Sequence, residues 1–277
     1  MISKSNIYEI ISINSLNYSL IVNLSLKFIL FFFIIAEIIS FSFYFFNLFP
    51  QFNIPNIISS GIAGFLILIY LTKSRASSKF IDGSQIFILT SVVLWVTAEL
   101  LYGYYDGILK IDAYPSLADL FYLSGYAMFI SSLILINKMY KVELSFIVSS
   151  IVTFSLIVFY IMYISIFIFD VFDYGGAIQD LVLLFTYPIA DLLIIVVAIM
   201  YYFRGRSISL YKEHTYWVFI SIFAFFFFAA DLTFGYNDLS SIESNEYLFD
   251  FYYSLGYSFL GIAILFRLKD IQTPKNY

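Results

Sequence analysis

Eight apolar runs, each close to the ~20 residues that carry a helix across a bilayer, dominate this 277-residue chain. They cover roughly 28–49, 54–72, 84–104, 116–137, 144–169, 180–203, 215–236 and 247–266. Hydrocarbon offers the backbone no hydrogen-bond partner, so such runs must become helices. Their length does not fit the alternating ~10-residue strands of an outer-membrane barrel. Composition agrees: 62% of the residues are apolar or aromatic, 12% are charged, and the mean hydropathy is +0.92. Soluble domains sit near half apolar and a quarter charged. The expected fold is an all-α polytopic membrane bundle of about eight transmembrane helices. A disordered chain, a sizeable soluble domain and a nucleic-acid binder are excluded, the last because 14 Lys and Arg face 19 Asp and Glu.

Basic residues set the expected direction. With the N-terminus inside, Lys4, Lys27, Lys73, Arg75, Lys79, Lys138, Lys141, Arg204, Arg206, Lys212, Arg267, Lys269 and Lys275 fall on one side, and only Lys110 falls on the other. Both termini are therefore expected in the cytoplasm, in a multi-pass protein of the cell membrane. Residues 1–26 read as a cytoplasmic segment, too polar to span and without a signal-peptide layout. Residues 27–137 and 138–268 read as two membrane halves, and 269–277 as a cytoplasmic tail. No inner connection is long enough for a kinase, cyclase or nucleotide-binding domain.

The halves echo each other. AELLYGYYD (Ala98–Asp106) in the third run matches ADLTFGYND (Ala230–Asp238) in the seventh. DLFYLSGY (Asp119–Tyr126) in the fourth matches DFYYSLGY (Asp250–Tyr257) in the eighth, 131 residues downstream. YPSLAD (Tyr114–Asp119) is echoed more weakly by YPIAD (Tyr187–Asp191), and Pro55 precedes Pro188 by 133 residues. The unit is read as four helices. An even count gives both halves one orientation, hence two parallel repeats about an axis along the membrane normal.

Acids in the spans carry the functional signal. Asp119, Tyr122 and Tyr126 share one helix face at i, i+3, i+7, as do Asp250, Tyr253 and Tyr257. Glu99 and Asp231 occupy matching positions in the third and seventh runs, Asp191 lies deep in the sixth, and Glu37 lies within the first. The spans contain no Lys or Arg. A bare carboxylate at a helix centre costs ~2.5–3.5 kcal/mol on insertion scales. These groups must be protonated, bonded by tyrosine, hydrated or paired with a cation. The functional reading is an outward-facing acidic and tyrosine-rich pocket for a cation, protons or a small polar ligand. It is formed by Glu99, Asp119, Tyr122, Tyr126, Asp191, Asp231, Asp250, Tyr253 and Tyr257. A structural alternative stands beside it. Ser116 and Asp119 have the spacing of an acidic capping box, interhelical hydrogen bonding would account for Glu99 and Asp231, and the glycines would serve close helix approach. Asp106, Asp170, Asp173 and Asp238 read as solvated loop acids.

Other chemistry is thin. With no Cys and one His, His214, the chain has no thiolate nucleophile, disulfide framework or multi-His metal site. A span without Lys offers no retinal Schiff base. HExxH, GxSxG, GxxxxGK[ST] and GxGxxG are all missing. Asp191 and Asp231 have the count for an intramembrane aspartyl protease but lack the Gly-x-Gly-Asp signature, so no catalytic residue and no cofactor are assigned. Whether the pocket takes a metal is left open.

PSLADLFYLSGY (Pro115–Tyr126), preceded by a helix ending in AELLYGYYD, resembles the multi-helix N-terminal membrane sensor regions of prokaryotic diguanylate cyclases and sensor kinases. Those regions carry PS-x-AD-x-x-YL-x-x-Y stretches, and the likeness extends over the third to eighth runs. It implies a membrane-embedded sensory or ligand-binding module and transfers no catalytic residue or ligand. The output domain of those proteins is missing here, so signalling would need a separate protein partner. The leading expectation is a stand-alone sensor-like or ligand-binding membrane protein. The alternative is a cation- or proton-coupled small-solute transporter.

Overall fold

The computed structural model describes residues 54–76, 83–140, 146–173, 178–207, 211–240 and 246–272, together with isolated positions between 27 and 42. Seven α-helices account for nearly all of them: α1 (Ile54–Ala76), α2 (Gly83–Gly103), α3 (Leu117–Tyr140), α4 (Phe146–Asp173), α5 (Ile178–Ser207), α6 (Tyr211–Ser240) and α7 (Glu246–Gln272). They correspond to the second through eighth apolar runs. No strand occurs among the described residues. Within the first run the described positions are helical, but Glu37 and the segment 1–26 lie outside the described residues, so a count of eight is not reached. Six helical stretches are long and apolar enough to cross a membrane: Ile54–Thr72, Gly83–Leu109, Leu117–Ile136, Ile178–Phe203, Thr215–Leu239 and Leu248–Arg267. In α4 the described apolar stretch is the shorter Thr153–Met162.

The six long helices close into a ring. Each packs on its neighbour in the order α1, α2, α3, α5, α6, α7 and back to α1, while α4 lies outside against α5 and α6. Exchanging α1, α2 and α3 with α5, α6 and α7 maps this order of neighbours onto itself. The surface is apolar: Phe65 is 64% exposed, Leu120 61% and Phe154 68%. The interior carries the polar side chains, among them Asn56, Ser59, Ser91, Glu99, Asp191, Asp231 and Ser254, all buried. An apolar outside suits lipid as the solvent.

Aromatic rings fill the middle of the ring. Trp95 of α2 stacks on Phe129 of α3 at 5.6 Å and meets Phe223 and Phe227 of α6, each at 5.7 Å. Two glycines make this possible. A Cβ on Gly125 would lie 2.5 Å from Trp95 Nε1, and one on Gly256 would lie 2.5 Å from Phe227 Cδ1. Each large ring therefore sits in a notch on the next helix, and the indole N–H donates to the Tyr122 carbonyl at 3.2 Å.

The two seams that join the halves differ. Between α1 and α7, small polar residues let the helices approach, and the Ser59 and Ser254 hydroxyls meet at 3.3 Å. Between α3 and α5, the loosest join in the ring, tyrosines reach across. Tyr126 donates to Asp191 Oδ1 (2.7 Å), Tyr187 to Asp119 Oδ1 (2.7 Å) and Tyr201 to the Leu133 carbonyl (3.1 Å). Below the first two lies an apolar cleft of about 160 Å³ between Leu133 and Val197. Pro188 interrupts the ladder of α5, and Tyr160 of α4 donates to the nearby Phe185 carbonyl at 2.8 Å.

Ring closure can be tested in a chain with no native Cys. Ser59→Cys combined with Ser254→Cys should form an intramolecular disulfide under mild oxidation in the membrane, seen as a mobility shift reversed by reductant. Pairing Ser59→Cys with Phe154→Cys, on the outer helix α4, should give none.

Candidate functional site

The third and seventh runs continue as helix farther than their loop-like ends suggest. The expectation that Asp106 and Asp238 are loop acids is corrected by this. Asp106 lies in a π-helical turn, Tyr104–Leu109, that extends α2 and is ended by Lys110 in the left-handed region (φ 56°), while Asp238 lies in the last turn of α6. Both are half-buried. Asp170 and Asp173 likewise belong to α4 rather than to a loop.

Four helices of the ring bring an acid to one end of the bundle: Glu99 from α2, Asp119 from α3, Asp231 from α6 and Asp250 from α7. With Tyr122, Tyr126, Tyr253 and Tyr257 they border one cavity, of which about 60 Å³ is reachable by water. That is room for several waters, since one needs roughly 10–15 Å³. Eight of the nine residues singled out in the sequence thus meet at one place. The ninth, Asp191, does not border the cavity. It lies behind Tyr126, fully buried, with its carboxyl group against that of Asp231.

The acids fall into two kinds. Asp119 is occupied. Its Oδ2 accepts the Ser116 N–H at 2.7 Å, the Ser116 hydroxyl accepts the Ala118 N–H at 3.1 Å, and Tyr187 donates to Oδ1. The capping box foreseen as an alternative is formed, and it holds Asp119 at the rim of the cavity. Asp250 accepts from Asn56 Nδ2 of α1 at 3.3 Å. Replacing Ser116 with Ala should cost about 1 kcal/mol of stability, the usual worth of an N-cap. Unfolding in detergent measures it, and a loss of several kcal/mol would mean that the rim rests on this cap far more than its geometry implies.

Glu99 and Asp231 are of the second kind. Glu99 Oε1 accepts from Tyr257 at 2.9 Å, and Asp231 Oδ1 accepts from Tyr253. Tyr122 flanks Glu99. The other oxygen of each, Glu99 Oε2 and Asp231 Oδ2, is buried without a donor, as is Asp191 Oδ2. These three carboxyl oxygens need a proton, a water or a cation to satisfy them. Glu99 is 2% exposed and Asp231 5%, so bulk water does not do this freely. Among the described residues no three Asp, Glu or His side chains come together as a metal site would require.

Tyrosine and phenylalanine complete the walls. Tyr187 and Tyr114 were not singled out as site residues, although both lie in the YPIAD and YPSLAD stretches. Tyr187 packs on Tyr122 and Tyr126 with centroids at 6.4 and 6.0 Å, and Tyr114 packs edge-on against Phe234 at 5.0 Å while donating to the Asp180 carbonyl. The floor is the aromatic cluster around Trp95 and Phe227. At the opposite end of the bundle, Arg267 sits over the Tyr216 ring at 5.0 Å. The cavity therefore lies toward the end of the bundle away from Arg267. Comparison with known protein families, with curated proteins and with solved structures finds no match.

Proposed function

We propose that this chain is a cell-membrane protein that takes a small cationic or polar ligand into the cavity from the outer side and acts as a sensor-like or binding module. It would pass the signal to a separate protein. The observation that carries this is the state of Glu99 and Asp231. Each spends one carboxyl oxygen on a tyrosine of α7 and keeps the other buried without a donor, in a residue that borders the cavity. Burial of such groups is costly unless something completes them. The expected topology, in which thirteen of the fourteen basic residues fall on the inner side, supports an outward direction for the cavity.

Support for two related halves comes from the ring order, which survives exchange of the halves, and from the two glycine notches, Gly125 under Trp95 and Gly256 under Phe227. A twofold arrangement would make Glu99 and Asp231, which both border the cavity, equivalent residues of the two halves. The transport reading draws on Pro188 and the intramembrane acids. The aromatic cluster of Trp95, Phe223 and Phe227 packed beneath the cavity favours binding instead.

Thermal unfolding in lipid nanodiscs tests the proposal. A panel of sodium, potassium, calcium and small amines should contain at least one that raises Tm, with Glu99→Gln and Asp231→Asn each abolishing the rise. Saturating ligand adds stability as RT ln(1 + [L]/Kd), ~2.7 kcal/mol at a hundredfold excess over Kd. A rise that persists in both variants would place the ligand elsewhere. Uptake into proteoliposomes that depends on these acids would favour the transporter.

A further inference from the structure

We infer that the ligand of this cavity is a protonated primary amine with a short aliphatic body, an inference that rests on the cavity being a ligand site. The sign of the charge is set first. The ionisable groups at the walls, apart from tyrosines, are Glu99, Asp119, Asp231 and Asp250, and no Lys, Arg or His is among the lining residues. An anion entering here would meet four carboxyl groups and no basic side chain among the lining residues.

The kind of cation follows from how few carboxyl oxygens lack a partner. Calcium takes roughly six to eight oxygen ligands and magnesium a near-ideal octahedron. Both oxygens of Asp119 are engaged by the cap and by Tyr187, Asn56 holds one oxygen of Asp250, and no metal-like cluster of acids exists among the described residues. Of the lining acids, Glu99 and Asp231 each keep one buried oxygen without a donor, on different helices. The rest of the wall is aromatic, with Tyr122, Tyr187, Tyr253 and Phe234 prominent. Few oxygens among many ring faces is an environment for an organic cation, which ring quadrupoles attract without stripping a tight hydration shell.

The two oxygens then choose among organic cations. Each is a buried acceptor without a donor at hydrogen-bond geometry, Glu99 beside Tyr122 and Asp231 beside Asp191. A primary ammonium brings three N–H groups and can complete them, as charge-assisted hydrogen bonds. A quaternary ammonium brings none and would leave both oxygens as they are. Leu184, Phe227 and Phe249 provide apolar contact for a short carbon chain. The site thus separates primary from quaternary amines by hydrogen bonding, while its aromatic walls alone would accept either.

Tryptophan emission reads this directly. The chain has two Trp; Trp95 lies under the cavity, and Trp217 stacks on Tyr201 at 4.4 Å near the other end. A Trp217→Phe protein in nanodiscs therefore reports on Trp95. It should be titrated with n-propylammonium, tetramethylammonium and potassium chlorides at constant ionic strength. Propylammonium should give a saturable change with a Kd at least ~tenfold below those of the other two, and Glu99→Gln and Asp231→Asn should each raise that Kd by ~tenfold or more, equivalent to 1.4 kcal/mol. Should either variant fail to fold, the ranking of the three cations on the parent protein still decides. Equal or tighter binding of tetramethylammonium or potassium would overturn the amine assignment and leave the ligand site standing. Propylammonium binding unchanged in both folded variants would overturn it as well. No saturable response to any of the three overturns the amine assignment; if no cation raises Tm either, the ligand-binding reading falls with it.

Discussion

Alanine at Gly256 should destabilise the folded bundle by about 3 kcal/mol, the upper part of the usual cost of forcing a methyl into a filled core. The added Cβ would stand 2.5 and 2.7 Å from Cδ1 and Cε1 of Phe227 and 3.3 Å from the Phe223 carbonyl. Phe227 has nowhere to go. Trp95, Phe223, Tyr253 and Tyr257 surround it with centroids at 4.6–5.7 Å. Gly125→Ala should behave alike, because moving Trp95 also breaks its bond to the Tyr122 carbonyl. Gly61→Ala is the contrast: nothing lies within 4 Å of a Cβ there, so it should be neutral or gain about 0.5–1 kcal/mol from helix propensity. Unfolding in mixed micelles measures all three. Equal, small effects at Gly256 and Gly61 would mean that the aromatic centre is not packed as described.

Replacing Tyr126 with Phe should cost about 1–3 kcal/mol, and more if Asp191 is ionised. The hydroxyl is the donor to Asp191 Oδ1, the carboxyl group is fully buried, and Oδ2 has no donor. Without Tyr126, Asp191 is left with Asp231 alone. Adding Asp191→Leu to Tyr126→Phe should restore most of the loss, since removing both partners is far milder than stranding one. A double-mutant cycle on these two positions gives the coupling. Additive effects would mean that the hydroxyl and the carboxyl are not bonded in the bilayer.

The spans were readable because lipid leaves a long apolar run no conformation but a helix. The Asp119–Tyr122–Tyr126 and Asp250–Tyr253–Tyr257 stripes were readable because helical spacing puts them on one face, and they do border one cavity. What was not readable depends on which helices become neighbours. Tyr187 reaches Asp119 only because α5 closes the ring beside α3, and Asn56 meets Asp250 only because α1 closes it beside α7. Asp191 shows the same limit: its depth in α5 was clear, yet its place between Tyr126 and Asp231 follows from α3 and α6 being the neighbours of α5 in the ring. The helical ends at Asp106 and Asp238 were hidden by Gly and Asn, which favour turns in water but are carried into helix here by the continuing ladder.

The central claim, an acidic cavity open to the outer side, is tested most directly by thiol chemistry at Tyr102. This half-buried residue borders the cavity three positions beyond Glu99, and the chain has no Cys of its own. Tyr102→Cys in intact cells should react with a membrane-impermeant cationic thiosulfonate at least ~tenfold faster than with its anionic counterpart, because a cleft lined by one sign of charge concentrates the opposite ion. Equal rates, faster reaction with the anionic reagent, or labelling only in inverted vesicles would contradict it.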